Sequence, residues 1–174
     1  MVELLSREQF GFLANQQILD AIGITQKCIH SVKSKKLDVI LVKMDLVKAY
    51  DKVNWVFLRL ILLQIGLPFE VVDWIMGCVS STCFIVLVNG SPISFFKSSR
   101  GLRQGYPLNP LLFLLVIEGL SRLILKEKYE GKIVGVKTCS SMNITHILFF
   151  YDVVLFGISS LDEWKEYYWN GGQP

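Results

Sequence analysis

Cysteine, histidine and excess charge are all scarce in this sequence, and each shortage excludes a class of protein. The 174 residues include four cysteines and two histidines at irregular spacings, which argues against a disulfide framework or a zinc cluster. The net charge is +3, a bias too small to indicate a particular partner by itself. Charged residues make up 19% of the chain and hydrophobic residues 52%, which excludes intrinsic disorder.

Long uninterrupted apolar runs are missing as well. The most apolar stretch, 110–125, is broken by Glu118, Ser121 and Arg122, so it does not predict a membrane-spanning helix. The first residues lack a basic and then apolar leader, and we therefore expect a protein that is not secreted and does not enter a membrane. The sequence predicts one domain with a large core, in which the four cysteines are small core residues of a reducing compartment.

The apolar spacing predicts an α+β domain, because the order of elements is not that of a doubly wound sheet. A nearly continuous apolar run at 37–44 predicts a buried strand that delivers Asp45 at or near its end. Asn89-Gly90 and Tyr151-Asp152 each separate two apolar runs and predict the turns of two hairpins. The predicted helices are 16–32, 56–65, 71–78 and 110–127, and the predicted hairpin strands are 84–88, 93–96, 144–150 and 153–156.

Three polar segments interrupt this apolar sequence and are candidates for chemistry. Asp45, after the first strand, suits a hard cation, although a helix-capping or loop carboxylate is the alternative interpretation. The segment 98–110 combines two arginines and two glycines before a helix start, which suits phosphate or an ordinary basic turn equally well. The Tyr151-Asp152 pair is the third segment, with a simple hairpin tip as its alternative.

Together and in this order, these segments resemble the reverse transcriptases of non-LTR (LINE-type) retrotransposons, particularly those of plants. Two further segments are similar to the family's fingers block and to the hairpin before its second palm block. The three main blocks are VKMDLVKAYDKVNW (42–55), RGLRQGYPLNP (100–110) and HILFFYDVVLF (146–156). The two additional segments are FLANQQILDA (12–21) and VLVNGSPISFFKSSRGLRQG (86–105).

The resemblance implies a partial fingers–palm fold over 1–160, with an antiparallel palm sheet packed by helices and no thumb, and a poorly ordered tail at 161–174. It implies RNA-directed DNA polymerisation by two-metal nucleotidyl transfer in the nucleus or cytoplasm, with an RNA template, a DNA primer, deoxynucleoside triphosphates and Mg²⁺. The implied metal ligands are Asp45, the backbone carbonyl of Leu46, and Asp152. The implied nucleotide- and template-binding residues are Tyr50, Arg100, Arg103, Gln104 and Gly105.

The third block departs from the family pattern. The family has Phe-Ala-Asp-Asp where this chain has Phe149-Phe150-Tyr151-Asp152, so Tyr151 stands at the position of the second metal-binding carboxylate. A phenol is neutral at pH 7 and cannot replace a carboxylate beside two divalent cations. We therefore predict a degenerate, truncated and catalytically inactive copy.

Other departures support the same interpretation. Tyr106 and Asn109 replace the usual Asp and Ser of the second block, and Gln16 stands where an arginine that faces the triphosphate is expected. The hypotheses are an active polymerase, an inactive remnant and a co-opted nucleic-acid-binding or protein-interaction module, of which the remnant is favoured. Because the net charge is only +3, we expect at most weak binding to nucleic acid.

Overall fold

The structure is a computed structural model that describes residues 5–11, 18–137, 143–149, 151–158 and 164–165. Gln16, Phe150 and most of the predicted tail therefore lie outside the described residues. The helices are α1 (Ile18–Lys35), α2 (Trp55–Gln64), α3 (Phe69–Ser80) and α4 (Asn109–Tyr129). The strands are β1 (Val39–Asp45), β2 (Cys83–Phe84), β3 (Leu87–Val88), β4 (Ser91–Pro92), β5 (Phe96–Lys97), β6 (Val136–Lys137), β7 (Asn143–Ile144), β8 (His146–Phe149) and β9 (Asp152–Ile158).

The chain forms two compact units, one from residues 1–47 and 117–174 and the other from residues 48–116. The first unit contains the three-stranded antiparallel sheet β1-β9-β8, in which β9 is central. Residues 8–10 extend this sheet beside β8, since the Leu148 amide donates to the Glu8 carbonyl at 2.8 Å and the Phe10 amide to the Leu148 carbonyl at 2.9 Å. Within the described ranges, every helix is too short or too polar to cross a bilayer.

Apolar residues of the sheet pack against α1 and form the core of the first unit. Residues directly opposite each other on paired strands, and residues two apart on one strand, project from the same face. Ile147 and Phe156 therefore lie on one face of the sheet. Ala21 and Cys28, one helical face of α1, complete this core. The other buried members of the cluster are Phe10, Val136 and Ile144.

A buried polar network links α4 to the start of β8. The Ser121 hydroxyl lies 2.7 Å from His146 Nε2, and the Thr145 hydroxyl lies 3.0 Å from His146 Nδ1. The Ser6 amide donates to the Glu118 carboxylate at 3.0 Å, and the Ser6 and Ser121 hydroxyls are 2.6 Å apart. Burial, with a smaller contribution from the Lys128 charge, lowers the pKa of His146 to about 3, so His146 is neutral in the folded protein at pH 7.

In the second unit, local sequence signals mark both ends of α2. The Asn54 side chain caps α2 by accepting from the Val56 amide at 2.8 Å and the Phe57 amide at 3.2 Å. Gly66 follows α2 with φ +87°, a conformation that favours glycine and ends the helix. Asn89 and Gly90 both have positive φ, which confirms the predicted tight turn between β3 and β4.

The hairpins differ in detail from their predicted forms. The first hairpin divides into β3–β4 and β2–β5, because one extra residue on its second strand interrupts the ladder between Ile93 and Phe96. In the second hairpin, Asp152 lies in β9 opposite Phe149 and not in the turn. Ile144 leaves the predicted strand and pairs with Val136 in the separate β6–β7 ladder, which the sequence did not predict.

The prediction that all four cysteines are core residues was wrong for two of them. Cys28 is buried in α1, whereas Cys78 and Cys83 are exposed. Cys78 lies near the end of α3 and Cys83 on the short strand β2, positions at which neither element buries its side chain. Cys139 lies outside the described residues.

Candidate functional site

Two carboxylates lie opposite each other at the end of the main sheet. β1 ends at Asp45, as predicted, but the prediction of a buried strand was wrong, since no residue of β1 is buried. The strand register pairs Asp45 directly with Asp152 at the start of β9. Directly opposed residues of antiparallel strands project from the same face, with Cβ atoms about 4.5–5.5 Å apart. Asp45 is exposed, and 37% of the Asp152 side chain is accessible. Two carboxylates therefore lie together at an end of the sheet that is open to solvent.

Lys43 places a positive charge beside this pair. It lies two residues before Asp45 on β1, and its Nζ is 3.0 Å from Asp152 Oδ1. Residues two apart on a strand share a face, so the ammonium group and both carboxylates lie on the same side of the sheet. An ammonium at this distance competes with any other cation for the Asp152 carboxylate.

Tyr151 lies in the turn immediately before Asp152. Its backbone carbonyl accepts a hydrogen bond from the Leu46 amide at 2.8 Å, which joins the turn to the residue after Asp45. Its side chain is 42% exposed. The backbone at position 151 thus helps to hold the end of β1 in place, while the side chain at that position is a phenol and not a carboxylate.

Tyr50 lies on a single 3-10 turn, Tyr50–Lys52, which follows β1 in the chain. Its ring is 7% exposed and stacks on Phe113, with ring centroids 4.8 Å apart and the planes inclined by 15°. The ring is therefore held in a fixed orientation by α4.

The segment 100–105 is docked onto this turn by backbone hydrogen bonds. The Gly101 amide donates to the Val53 carbonyl and the Leu102 amide to the Tyr50 carbonyl, both at 2.8 Å. Trp55 Nε1 donates to the Gly101 carbonyl at 2.8 Å. Gly101 has φ +91°, and a Cβ there would lie 2.9 Å from the Asp51 carbonyl oxygen, so only glycine fits this close approach.

The docked segment forms one wall of an open cleft of about 600 Å³. Three of the predicted nucleotide- and template-binding residues, Arg100, Arg103 and Gln104, line this cleft. Gly105 follows them with φ +82° and has open space around it. The other wall comes from the first hairpin and was not predicted from the sequence, in which aromatic residues within an apolar strand pattern were the available signal. That wall includes Phe84, Phe96 and Lys97.

The order of these segments and their geometry agree with the comparisons to known proteins. The sequence profile of the family Reverse transcriptase (RNA-dependent DNA polymerase) matches residues 1–168. This chain belongs to the reverse transcriptase family. The expected family assignment is therefore confirmed.

Curated relatives connect this reverse transcriptase domain to non-LTR retrotransposons. It is 26% identical over 119 residues to the Pol polyprotein of the type-1 retrotransposable element R2 of Nasonia vitripennis, covering 68% of this chain and 12% of that protein. It is 25% identical over 135 residues to the 149 kDa protein of transposon TX1 of Xenopus laevis, covering 73% of this chain and 10% of that protein. An uncharacterized mitochondrial protein of Arabidopsis thaliana is 41% identical over 66 residues, which are 37% of this chain and 54% of that protein. This plant relative agrees with the expected similarity to plant sequences.

Solved structures confirm the fold of the reverse transcriptase domain. Apo telomerase of Candida tropicalis, truncated from its C-terminal domain, superposes with a TM-score of 0.63 at 14% identity and covers 96% of this chain and 32% of that one. A second apo telomerase structure from the same organism gives 0.58 at 13% identity, with 92% and 29% covered. The predicted α+β fold with an antiparallel palm sheet is that of this structural class.

Reverse transcriptases generally use divalent metal ions, which the side chains of the site would have to bind. Within the described ranges, no group of three or more His, Cys, Asp and Glu side chains could hold a metal ion. Asp45 and Asp152 supply two carboxylates on one face, and Mg²⁺ is commonly held by one or two carboxylates together with water and substrate phosphates. The donor set therefore fits one hard cation.

Proposed function

We propose that this reverse transcriptase domain is a catalytically inactive copy that retains weak binding of a cation and of nucleic acid. One observation carries the proposal: Asp45 and Asp152 oppose each other, and the turn before Asp152 holds Tyr151, where the family pattern implies a carboxylate. The backbone arrangement around Asp45 and Asp152 is consistent with metal binding. The phenol at position 151 is not, because it does not supply the negative charge of a carboxylate. We therefore propose that this domain keeps the fold of the family site without its catalytic activity.

The proposed cation is Mg²⁺, held by the carboxylates of Asp45 and Asp152 and by the backbone carbonyl of Leu46. When bound, such ions activate a primer 3′-hydroxyl and neutralise charge on the triphosphate. Lys43 already neutralises part of the Asp152 charge through its 3.0 Å contact, which weakens the site for Mg²⁺.

The absence of a carboxylate at position 151 accounts for the proposed inactivity. Two divalent cations a few ångströms apart repel each other, so they need several anionic ligands between and around them. Asp45 and Asp152 supply two negative charges, and the Tyr151 phenol supplies none at pH 7. Because the side chain of Tyr151 is 42% exposed, an aspartate could take its place without displacing packed atoms.

The cleft supports the proposed nucleic-acid role. Arg100, Arg103 and Gln104 line it, and guanidinium groups recognise phosphate in a bidentate geometry. Gly105 leaves its backbone open to close approach. Tyr50 is the proposed residue beneath the sugar of an incoming nucleotide, although its ring is buried and stacks on Phe113. The proposed ligands are an RNA template, a DNA primer and a deoxynucleoside triphosphate, bound weakly in this copy.

A co-opted nucleic-acid-binding or protein-interaction module without catalysis is the second candidate. One observation favours it: the close approach of Gly101 to Asp51, which fixes the arginine loop, is intact although the carboxylate at position 151 is missing. A chain that binds nucleic acid without catalysis needs the fixed arginine loop but needs no carboxylate at position 151. Strong nucleic-acid binding in the absence of extension would favour this candidate over the first, which retains only weak binding.

Primer extension on an RNA template, with Mg²⁺ or Mn²⁺, tests the proposed inactivity. The unmodified chain should give no extended product, Tyr151→Asp should give product, and the matched neutral variant Tyr151→Asn should not. Extension by the unmodified chain that Asp45→Ala abolishes would overturn the proposal. Equal failure of Tyr151→Asp and Tyr151→Asn would show that residue 151 is not the cause of inactivity.

A further inference from the structure

An exposed pair of aromatic rings lies on the first hairpin, outside the residues assigned to the family site. Phe84 on β2 and Phe96 on β5 are direct strand partners. Their ring centroids are 5.7 Å apart with the planes inclined by 29°. The two residues are 47% and 49% exposed, so much of each ring is open to solvent. The two stacked rings on paired strands form one apolar surface that the backbone holds in position.

The same cleft combines this surface with positive charge. Lys97, Arg100 and Arg103 line the cleft together with the two rings, and Asp51 is the one carboxylate among the lining residues. Among the described residues, none of these three cations forms an ion pair. The cleft, with a volume of about 600 Å³, therefore has two aromatic rings and Lys97 on the hairpin wall and two arginines on the other wall.

We propose that Phe84 and Phe96 form a stacking platform for an unpaired base of a single-stranded nucleic acid, with the flanking phosphates on Lys97, Arg100 and Arg103. The inference rests on the proposed nucleic-acid role of the 100–105 segment and adds the base contact to it. Proteins bind single strands by this combination of aromatic surfaces and a cationic groove, and stacking tolerates any base sequence. The volume of the cleft is in the range that accommodates one small ligand or nucleotide.

Charge complementarity selects this occupant over an apolar one. An apolar peptide segment on the platform would take Lys97, Arg100 and Arg103 away from water without offering them an anion, at a large desolvation cost. A nucleotide offers a base for the aromatic rings and a phosphate for the neighbouring cations in one unit. The hydrogen bonds that dock Gly101 hold the arginine-bearing wall in place before a ligand binds.

The test measures binding of a fluorescein-labelled single-stranded oligouridine of about 12 nucleotides by fluorescence anisotropy. The double variant Phe84→Leu/Phe96→Leu keeps the apolar character of the hairpin but removes both rings. It should bind at least about fivefold more weakly than the unmodified chain. The matched control is Phe95→Leu, a residue of the same hairpin that is 74% exposed and outside the cleft lining, and it should bind normally. Circular dichroism verifies that both variants are folded.

Two further measurements separate stacking from charge. An oligonucleotide of abasic sites keeps the phosphates, so it should bind the unmodified chain and the double variant equally well. The dependence of log affinity on log salt should have a slope of about −2 for three phosphate contacts, unchanged in the double variant and reduced by about 0.7 in Arg103→Gln. The same oligomer made of DNA identifies which sugar the platform accepts.

Equal affinity of the unmodified chain and the double variant for oligouridine would overturn the platform while leaving nucleic-acid binding intact. An equal loss in Phe95→Leu would also overturn it, since the effect would then belong to the hairpin as a whole. Failure of the unmodified chain to bind any oligonucleotide would overturn both the platform and the proposed retained binding. Primer extension, by contrast, bears only on the proposed inactivity.

Discussion

Replacing Gly101 by alanine should detach the arginine-bearing segment from the turn at Tyr50. Gly101 has φ +91°, and the added Cβ would lie 2.9 Å from the Asp51 carbonyl oxygen and 3.1 Å from Asp51 Cα. Both neighbours are backbone atoms, so a rotamer change cannot relieve the contact. The backbone must move instead, and the hydrogen bond from the Gly101 amide to the Val53 carbonyl is the first to be lost.

The magnitude follows from two separate costs. A left-handed backbone conformation costs a non-glycine residue about 1–2 kcal/mol, partly offset because alanine restricts the unfolded chain by about 0.4–1 kcal/mol. The overlap with Asp51 adds about 1–3 kcal/mol, the usual cost of overpacking. Gly101→Ala should therefore lower the free energy of unfolding by about 2–4 kcal/mol.

Gly66→Ala is the matched control for this prediction. Gly66 has φ +87°, but no atom lies within 4 Å of its added Cβ, so the control carries the backbone cost without the overlap. Its free energy of unfolding should fall by about 1 kcal/mol or less. Equilibrium urea denaturation of both variants measures the difference. Equal losses in the two variants would refute the argument that the approach of Gly101 to Asp51 fixes the segment.

Two other predictions concern protonation and cation binding. Below pH 6.5 the unfolded chain protonates His146, whereas the folded protein resists protonation until about pH 3, so the free energy of unfolding should fall by up to about 1.4 kcal/mol per pH unit through this range. Urea denaturation at several pH values should show a shallower fall in His146→Gln, and an identical fall in both proteins would contradict the buried neutral histidine. Lys43→Met should raise the affinity for Mn²⁺, measured by electron paramagnetic resonance, by about two- to fivefold because a half-exposed ion pair is worth at most about 1 kcal/mol. The control Asp152→Asn should bind Mn²⁺ more weakly than the unmodified chain, and an unchanged affinity in Lys43→Met would show that the ammonium does not compete.

The sequence was informative wherever a feature depends on neighbouring residues. The apolar run before Asp45 predicted a strand that ends there, and Asn89-Gly90 predicted a turn, because both signals act within a few residues. The resemblance to reverse transcriptases supplied the family and the fold before any geometry was known.

Features that depend on residues far apart in the chain could not be predicted from local sequence patterns. Asp152 joins β9 because two strands flank it, and a local turn signal at Tyr151-Asp152 contains no information about β1. The separation of Ile144 into β7 depends on its partner Val136. Val136 ends the short apolar run 133–136, which contains no information about that pairing. The stacking of Phe84 on Phe96 depends on a one-residue shift in hairpin register, which the alternating pattern does not specify.

The polar network of Ser6, Glu118, Ser121 and His146 also bears on the order in which the molecule can assemble. Its contacts join residues separated by as many as 115 positions in the chain. The first unit therefore cannot close until the residues of β8 and β9 have been synthesised, whereas the second unit is one continuous segment, 48–116. Contacts of such long range slow folding, because the chain must lose much of its freedom before they form. On the ribosome, the segments of the first unit made earliest must wait, with their apolar faces uncovered, for the hairpin that carries Tyr151.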